Sequence, residues 1–151
     1  MVIVDFQGFP KIPRLNRDII ITEKIDGTNA AIVVDVEMNV LAQSRNRFVT
    51  PEQDNAGFGR WVYENAADLA ALLGEGIHFG EWWGAGVQRR YGQATKRFSL
   101  FNVSWWGFLS ESEYVASQGR KVIGGVLVDS VPVLYRGPWF TPTSVCDGPV
   151  W

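Results

Sequence analysis

Apolar residues along the chain fall into short runs that read as more strand than helix. Residues 18 to 25 (DIIITEKI) and 30 to 36 (AAIVVDV) are rich in Ile and Val, the composition of a pleated, half-buried segment. The Asp-Gly-Thr-Asn between them is turn chemistry: Gly27 lets the backbone turn where a side chain would clash, and Asp26 and Asn29 can bond local backbone. Residues 77 to 83 (IHFGEWW), 98 to 105 (FSLFNVSW) and 122 to 135 (VIGGVLVDSVPVLY) are predicted as further strands. Two helices are expected. One covers 58 to 73, where Trp61, Val62, Ala66, Leu69 and Leu73 recur near helical spacing; the other starts at Ser110, capped by its hydroxyl with Glu113 completing a capping box. Strand and helix do not alternate as in a doubly wound fold, so the class is α+β with a mainly antiparallel sheet.

At 151 residues the chain has the size of one domain, and 46% hydrophobic residues place it outside the disordered class. The net charge of −2 supplies no global attraction to nucleic acid. Its distribution is uneven, however: Arg89, Arg90, Lys96 and Arg97 are the only charges between Trp82 and Ser110, whereas residues 51 to 76 hold five acids against one Arg. A polyanion can be steered to one face by such a block, which otherwise reads as a solvated basic loop. The lone Cys146 has no disulfide partner and points to a reducing compartment. With no cationic leader and no apolar run near ~18 residues, a soluble cytoplasmic protein without membrane partners is expected.

Several side chains invite a chemical reading. Lys24 can be held at a sheet rim facing a pocket, but its amine is a nucleophile only after losing its proton, which burial or a cationic neighbour promotes. Glu81 sits between aromatics and glycines, where a carboxylate needs a partner. Arg45 and Arg47 read as exposed cations, and Phe101, alternating with Val103, as core. His78, the only histidine, has no Cys cluster beside it and reads as structural. In the pairs Trp82-Trp83 and Trp105-Trp106 the members are expected on opposite sheet faces, so core packing accounts for at least half of the seven tryptophans.

Lys24-Ile25-Asp26-Gly27 resembles the K-x-D-G nucleophile motif of the covalent nucleotidyltransferases, which comprise ATP-dependent DNA ligases, RNA ligases and mRNA capping enzymes. The longer string from Glu23 to Asn29 (EKIDGTN) resembles most the RNA ligases of the bacteriophage RNA-editing type. Ser44-Arg45-Asn46-Arg47 is similar to the family's second element, Gly80-Glu81-Trp82 to its ribose-binding motif, and residues 98 to 103 (FSLFNV) to its purine-stacking strand, with Asn102 where the family more often has Asp. The resemblance covers about residues 18 to 136.

This resemblance implies an ATP-grasp-like ligase adenylation domain, residues 1 to 151 being its N-terminal portion. It implies that Lys24 attacks the α-phosphorus of ATP to form lysyl-AMP, and that AMP then passes to a 5′-phosphate end of RNA or DNA for attack by a 3′-hydroxyl. By the same resemblance Phe101 would hold the adenine, with Phe98 the second choice. Glu81 would hold the ribose, Arg45 or Arg47 a phosphate or sugar, the backbone around Glu23 the adenine edge, and Asn29 would lie near the triphosphate. Mg2+ would neutralise the phosphates. The family's later E-G-x-V strand and paired-lysine strand have no clear match: Lys121 is the only lysine after Phe101, and Asp147-Gly148-Pro149-Val150 resembles E-G-x-V with a proline that removes a ladder donor. The expectation is a domain incomplete at its C-terminus, weak or inactive in isolation and prone to self-association. A non-catalytic nucleotide-binding or nucleic-acid-binding remnant and a DNA ligase or capping-enzyme relative are the alternatives.

Overall fold

The Ile-rich run and the AAIVV run do not pair with each other. In the computed structural model, which describes residues 18–138, β1 (Asp18–Thr22) pairs antiparallel with β9 (Val133–Pro138), with a bulge between Ile21 and Thr22. These two strands belong to one compact unit, and Glu23–Pro132 form the other.

The second unit is built on a seven-stranded sheet in the order β4-β3-β2-β5-β6-β8-β7. Its strands are β2 (Thr28–Val34), β3 (Val40–Ser44), β4 (Phe48–Val49), β5 (Gly76–Gly84), β6 (Lys96–Leu100), β7 (Val122–Ile123) and β8 (Val126–Ser130). All neighbours run antiparallel except β6 and β8. The α+β class therefore holds, with a mostly antiparallel, mixed sheet.

Several expected elements are cut by local chemistry. Strand β1 stops at Thr22, and Thr28 and Asn29 are not turn residues but the first residues of β2. The run from 122 to 135 breaks into β7, β8 and β9, because Gly124 and Gly125 both take positive φ (54° and 77°) and turn the chain back between β7 and β8. The strand expected to reach residue 105 ends at Leu100: the Asn102 side chain accepts the Trp105 N–H and caps a short helix, α3 (Val103–Trp106). The second tryptophan pair thus lies on a helix, Trp106 buried and Trp105 exposed. The helix expected over 58 to 73 is two, α1 (Phe58–Glu64) and α2 (Ala66–Leu73), separated by Asn65 at φ −120°. Helix α4 (Ser112–Gln118) begins after Glu111 without a side-chain cap. Ser110 caps nothing; its hydroxyl bonds the Ser130 backbone and side chain.

Sheet alternation sorts the side chains into two faces. Ala30, Ile32, Val34, Ala42, Trp82, Phe98, Leu100 and Val128 bury one face against Phe58, Trp61, Val62, Leu69 and Leu73. Trp61 stacks on Trp82 with ring centroids 5.1 Å apart, and both indole N–H groups donate to carbonyls, of Ile123 and Ala56. The other face carries Asn29, Glu81, Trp83, Ser99 and Asp129, with Leu41, Ile77 and Phe79 exposed beside them. Among the described residues no helix is long and apolar enough to cross a membrane.

Candidate functional site

Lys24 is exposed in the irregular connection of residues 23 to 27 that leads into β2. Backbone and side-chain contacts hold this connection along its length. The Glu23 N–H donates to the Pro132 carbonyl at 2.9 Å, and the Ile25 side chain is buried. Gly27 lies directly on β5: a Cβ there would stand 2.4 Å from the Trp82 carbonyl oxygen and 2.7 Å from Trp83 Cβ. Backbone on that side cannot give way, so the fourth position of the K-x-D-G string admits only glycine. The Asp26 and Gly27 N–H groups donate to the Tyr91 hydroxyl (2.8 Å) and to Glu81 Oε1 (3.0 Å).

From Glu81 the polar contacts run across the sheet. Asn29 stands opposite Glu81 in the β2–β5 ladder. With its amide oriented to satisfy both neighbours, Asn29 Nδ2 donates to Glu81 Oε2 at 3.0 Å and its Oδ1 accepts from Arg45 Nε (3.0 Å) and Nη2 (3.1 Å). This order is directional, because a carboxylate only accepts, a guanidinium only donates and an amide does both. Glu81 is 6% exposed. Burial pushes its carboxyl above the usual carboxylate range, with a smaller push from Asp26; the Gly27 N–H and the charges of Lys24 and Arg45 pull it back.

A pH-dependent cost for losing Arg45 follows. A raised carboxyl contributes stability that is complete below the ordinary carboxylate range and is lost as pH rises through the raised value. Removing Arg45 takes away a charge that lowers Glu81, so more of that contribution is lost near neutrality. Arg45→Ala is expected to destabilise the protein more at about pH 7 than at about pH 4, read from urea midpoints at the two values. A difference independent of pH would remove Arg45 from the electrostatics of Glu81.

The two arginines of the second element part company here. While Arg45 faces Asn29, the Arg47 guanidinium donates to the carbonyls of Phe48, Gln53 and Asp54, tying down the segment after β4. Of the two phenylalanines, Phe98 is fully buried in the core, whereas Phe101 is 45% exposed. The Phe101 N–H donates to the Phe79 carbonyl, two residues along the ladder from the Glu81–Ser99 pair. Glu81 and Phe101 are thus diagonal neighbours, about 7–8 Å apart in such a ladder. Phe101 also lines, with Phe79 and Trp105, an aromatic cleft of about 530 Å3 at the start of β5. His78 donates to the Gly74 carbonyl and meets Trp106 edge-on, a structural role. Among the described residues no cluster of three or more His, Cys, Asp or Glu side chains is placed to hold a metal ion, so they offer magnesium no cage of their own. Asp147-Gly148-Pro149-Val150 lies outside the described residues.

The basic block is not one solvated patch. Arg97 pairs with Asp129 on β8, Lys96 donates to the Ala85 carbonyl, and Arg89 pairs with Asp26. Sequence reasoning missed the network this creates behind Glu81. Trp83 Nε1 donates to Ser99 Oγ (2.9 Å), Ser99 donates to Asp129 Oδ1 (2.6 Å), and the Arg97 guanidinium lies 4.7 Å from the centre of the Trp83 ring while bonding Asp129 Oδ2. The signal was present: Asp129 is the lone charge inside an apolar strand, and a buried carboxylate calls for a cation elsewhere.

No curated protein matches the chain. A sequence model of the RNA ligase family matches residues 17–147, which brings ligase-type function and nucleotide use in general, and by that match the chain belongs to the RNA ligase family.

Proposed function

We propose that this domain carries out ATP-dependent nucleotidyl transfer through Lys24 and seals 5′-phosphate to 3′-hydroxyl RNA ends, in the manner of the bacteriophage RNA-editing type. The observation that carries this reading is the polar row Glu81–Asn29–Arg45 beside the Lys24 connection on the sheet face opposite helices α1 and α2. In the first step the deprotonated Lys24 Nζ attacks the α-phosphorus; a P–N bond forms and the bond to pyrophosphate breaks. AMP then moves to a 5′-phosphate oxygen, and attack by the 3′-hydroxyl expels it. Glu81 and Asn29 offer acceptor and donor atoms for the ribose, Arg45 a charge for phosphate, and Phe101 a ring for the adenine. Magnesium is assigned no residue of this chain.

The test is incubation of the protein with ATP and magnesium, followed by peptide mass mapping. One AMP mass on the peptide containing Lys24 is expected; nucleotide binding without an adduct would favour a binding module instead. A second expectation concerns the ring. Phe101→Ala should weaken ATP binding by about 1–3 kcal/mol, the range for base stacking on an aromatic side chain. Because Phe101 is exposed, thermal stability should barely move. A drop in melting temperature with unchanged ATP affinity would make the ring a packing residue.

A further inference from the structure

The turn after Lys24 is held from two sides, and only one of them belongs to the nucleotide-binding row. Glu81 takes the Gly27 N–H; Tyr91, from the loop between β5 and β6, takes the Asp26 N–H. These two consecutive donors begin two residues after Lys24, so the side chains that accept them fix the path of the backbone just beyond it.

Tyr91 reaches this position through backbone that an L-residue rarely adopts. Its φ is 48° and that of Gln88 is 39°, conformations that persist only where surrounding contacts impose them. The contacts are visible. The Tyr91 ring meets Trp83 edge-on with centroids 5.5 Å apart, and Trp83 is fixed by Ser99 and by the Arg97 guanidinium over its face. The loop itself is pinned where the Ala85 N–H bonds Thr95 and its carbonyl accepts from Lys96. Arg89 adds an ion pair to the Asp26 carboxylate at 3.2 Å, too exposed to contribute much by itself.

We propose that Tyr91 is a positioning residue for Lys24: the β5–β6 loop folds back as a clip whose phenol oxygen holds the Asp26 amide, and Trp83 transmits the rigidity of the Arg97–Asp129 pair to it. The inference rests on Lys24 as the nucleophile. The role of the clip is to narrow the range of positions open to the amine, since a displacement of about 1 Å at a reacting group can cost about 10²-fold in rate. In this role Tyr91 acts through the Asp26 amide and not on the phosphorus or the ribose.

Tyr91→Phe tests this, because it keeps the ring against Trp83 and removes only the acceptor oxygen. Two readouts separate the clip from the chemistry. In amide hydrogen exchange on the full chain, the Asp26 N–H should exchange about tenfold faster, and the Gly27 N–H, still held by Glu81, should change by less than about twofold. Unchanged exchange at Asp26 would overturn the clip. In single-turnover adenylylation with ATP and magnesium, the rate at saturating ATP should fall about tenfold with the half-saturating ATP concentration unchanged. An unaltered rate, or a loss confined to ATP affinity, would overturn the positioning role. A wild-type chain that forms no lysyl adduct refutes the nucleophile assignment and with it the positioning role, while the exchange readout still decides whether Tyr91 holds the turn.

Discussion

Lys24→Ala is expected to form no AMP adduct, and Lys24→Arg to fail as completely, each at least about 10³-fold below the wild-type rate. The arginine arm is the more informative of the two. It keeps the length and the charge that Glu81 feels from residue 24, but a guanidinium stays protonated at any working pH and has no lone pair to give phosphorus. Residue 24 is exposed, so both variants should melt within about 2 °C of the wild type, and lost activity cannot be ascribed to unfolding. Competing lysines are poorly placed among the described residues: Lys96 is spent on the Ala85 carbonyl, and Lys121 precedes β7 at the far edge of the sheet. Intact protein mass after incubation with ATP and magnesium is the measurement. An adduct at the wild-type level in Lys24→Ala would move the nucleophile elsewhere.

What the sequence could show depended on how far apart the interacting residues lie. The strand that carries Glu81 and most of β2 are legible because Ile, Val and aromatic enrichment is a local property, and alternation alone puts Glu81 and Trp83 on one face and Trp82 on the other. Pairing was not legible. Asp-Gly-Thr-Asn has good turn composition, yet β1 finds its partner in β9, more than a hundred residues on, and two residues of the supposed turn enter β2. Local polar residues misled in the same way. Asn102 reads as a strand residue until its side chain is seen capping α3, and Ser110 reads as a cap until its hydroxyl is seen on Ser130. Each can bond nearby backbone or something distant, and only the tertiary structure selects which. Tyr91 had no signal at all, since its contact with Asp26 spans 65 residues and its backbone conformation is unfavourable for its residue type.

Asp129→Ala should produce the largest loss of stability among single changes on the polar sheet face, about 3 kcal/mol, measured as a shift in the urea midpoint at unchanged slope. The Arg97 side chain is 20% exposed and that of Asp129 14%. Burial already pushes the Asp129 carboxyl above its usual range, against the pull of Ser99 and Arg97, so the ionised pair stands at a considerable desolvation cost. Removing one partner leaves the other charge without compensation, and Arg97 Nε already has no hydrogen-bond partner. Breaking a buried pair costs about 3–5 kcal/mol, and the residual exposure here places the effect at the lower end. Replacing both residues, Arg97→Met with Asp129→Leu, should return stability to within about 1 kcal/mol of the wild type, because apolar groups of similar volume need no counter-charge. The double variant should nevertheless remain slow in adenylylation, since the guanidinium over Trp83 and the acceptor of the Ser99 hydroxyl are both gone and Tyr91 rests on that indole. A double variant with restored stability and full rate would show that the pair serves the fold alone; a loss below about 1 kcal/mol in Asp129→Ala would show that Arg97 finds water as easily as it finds Asp129.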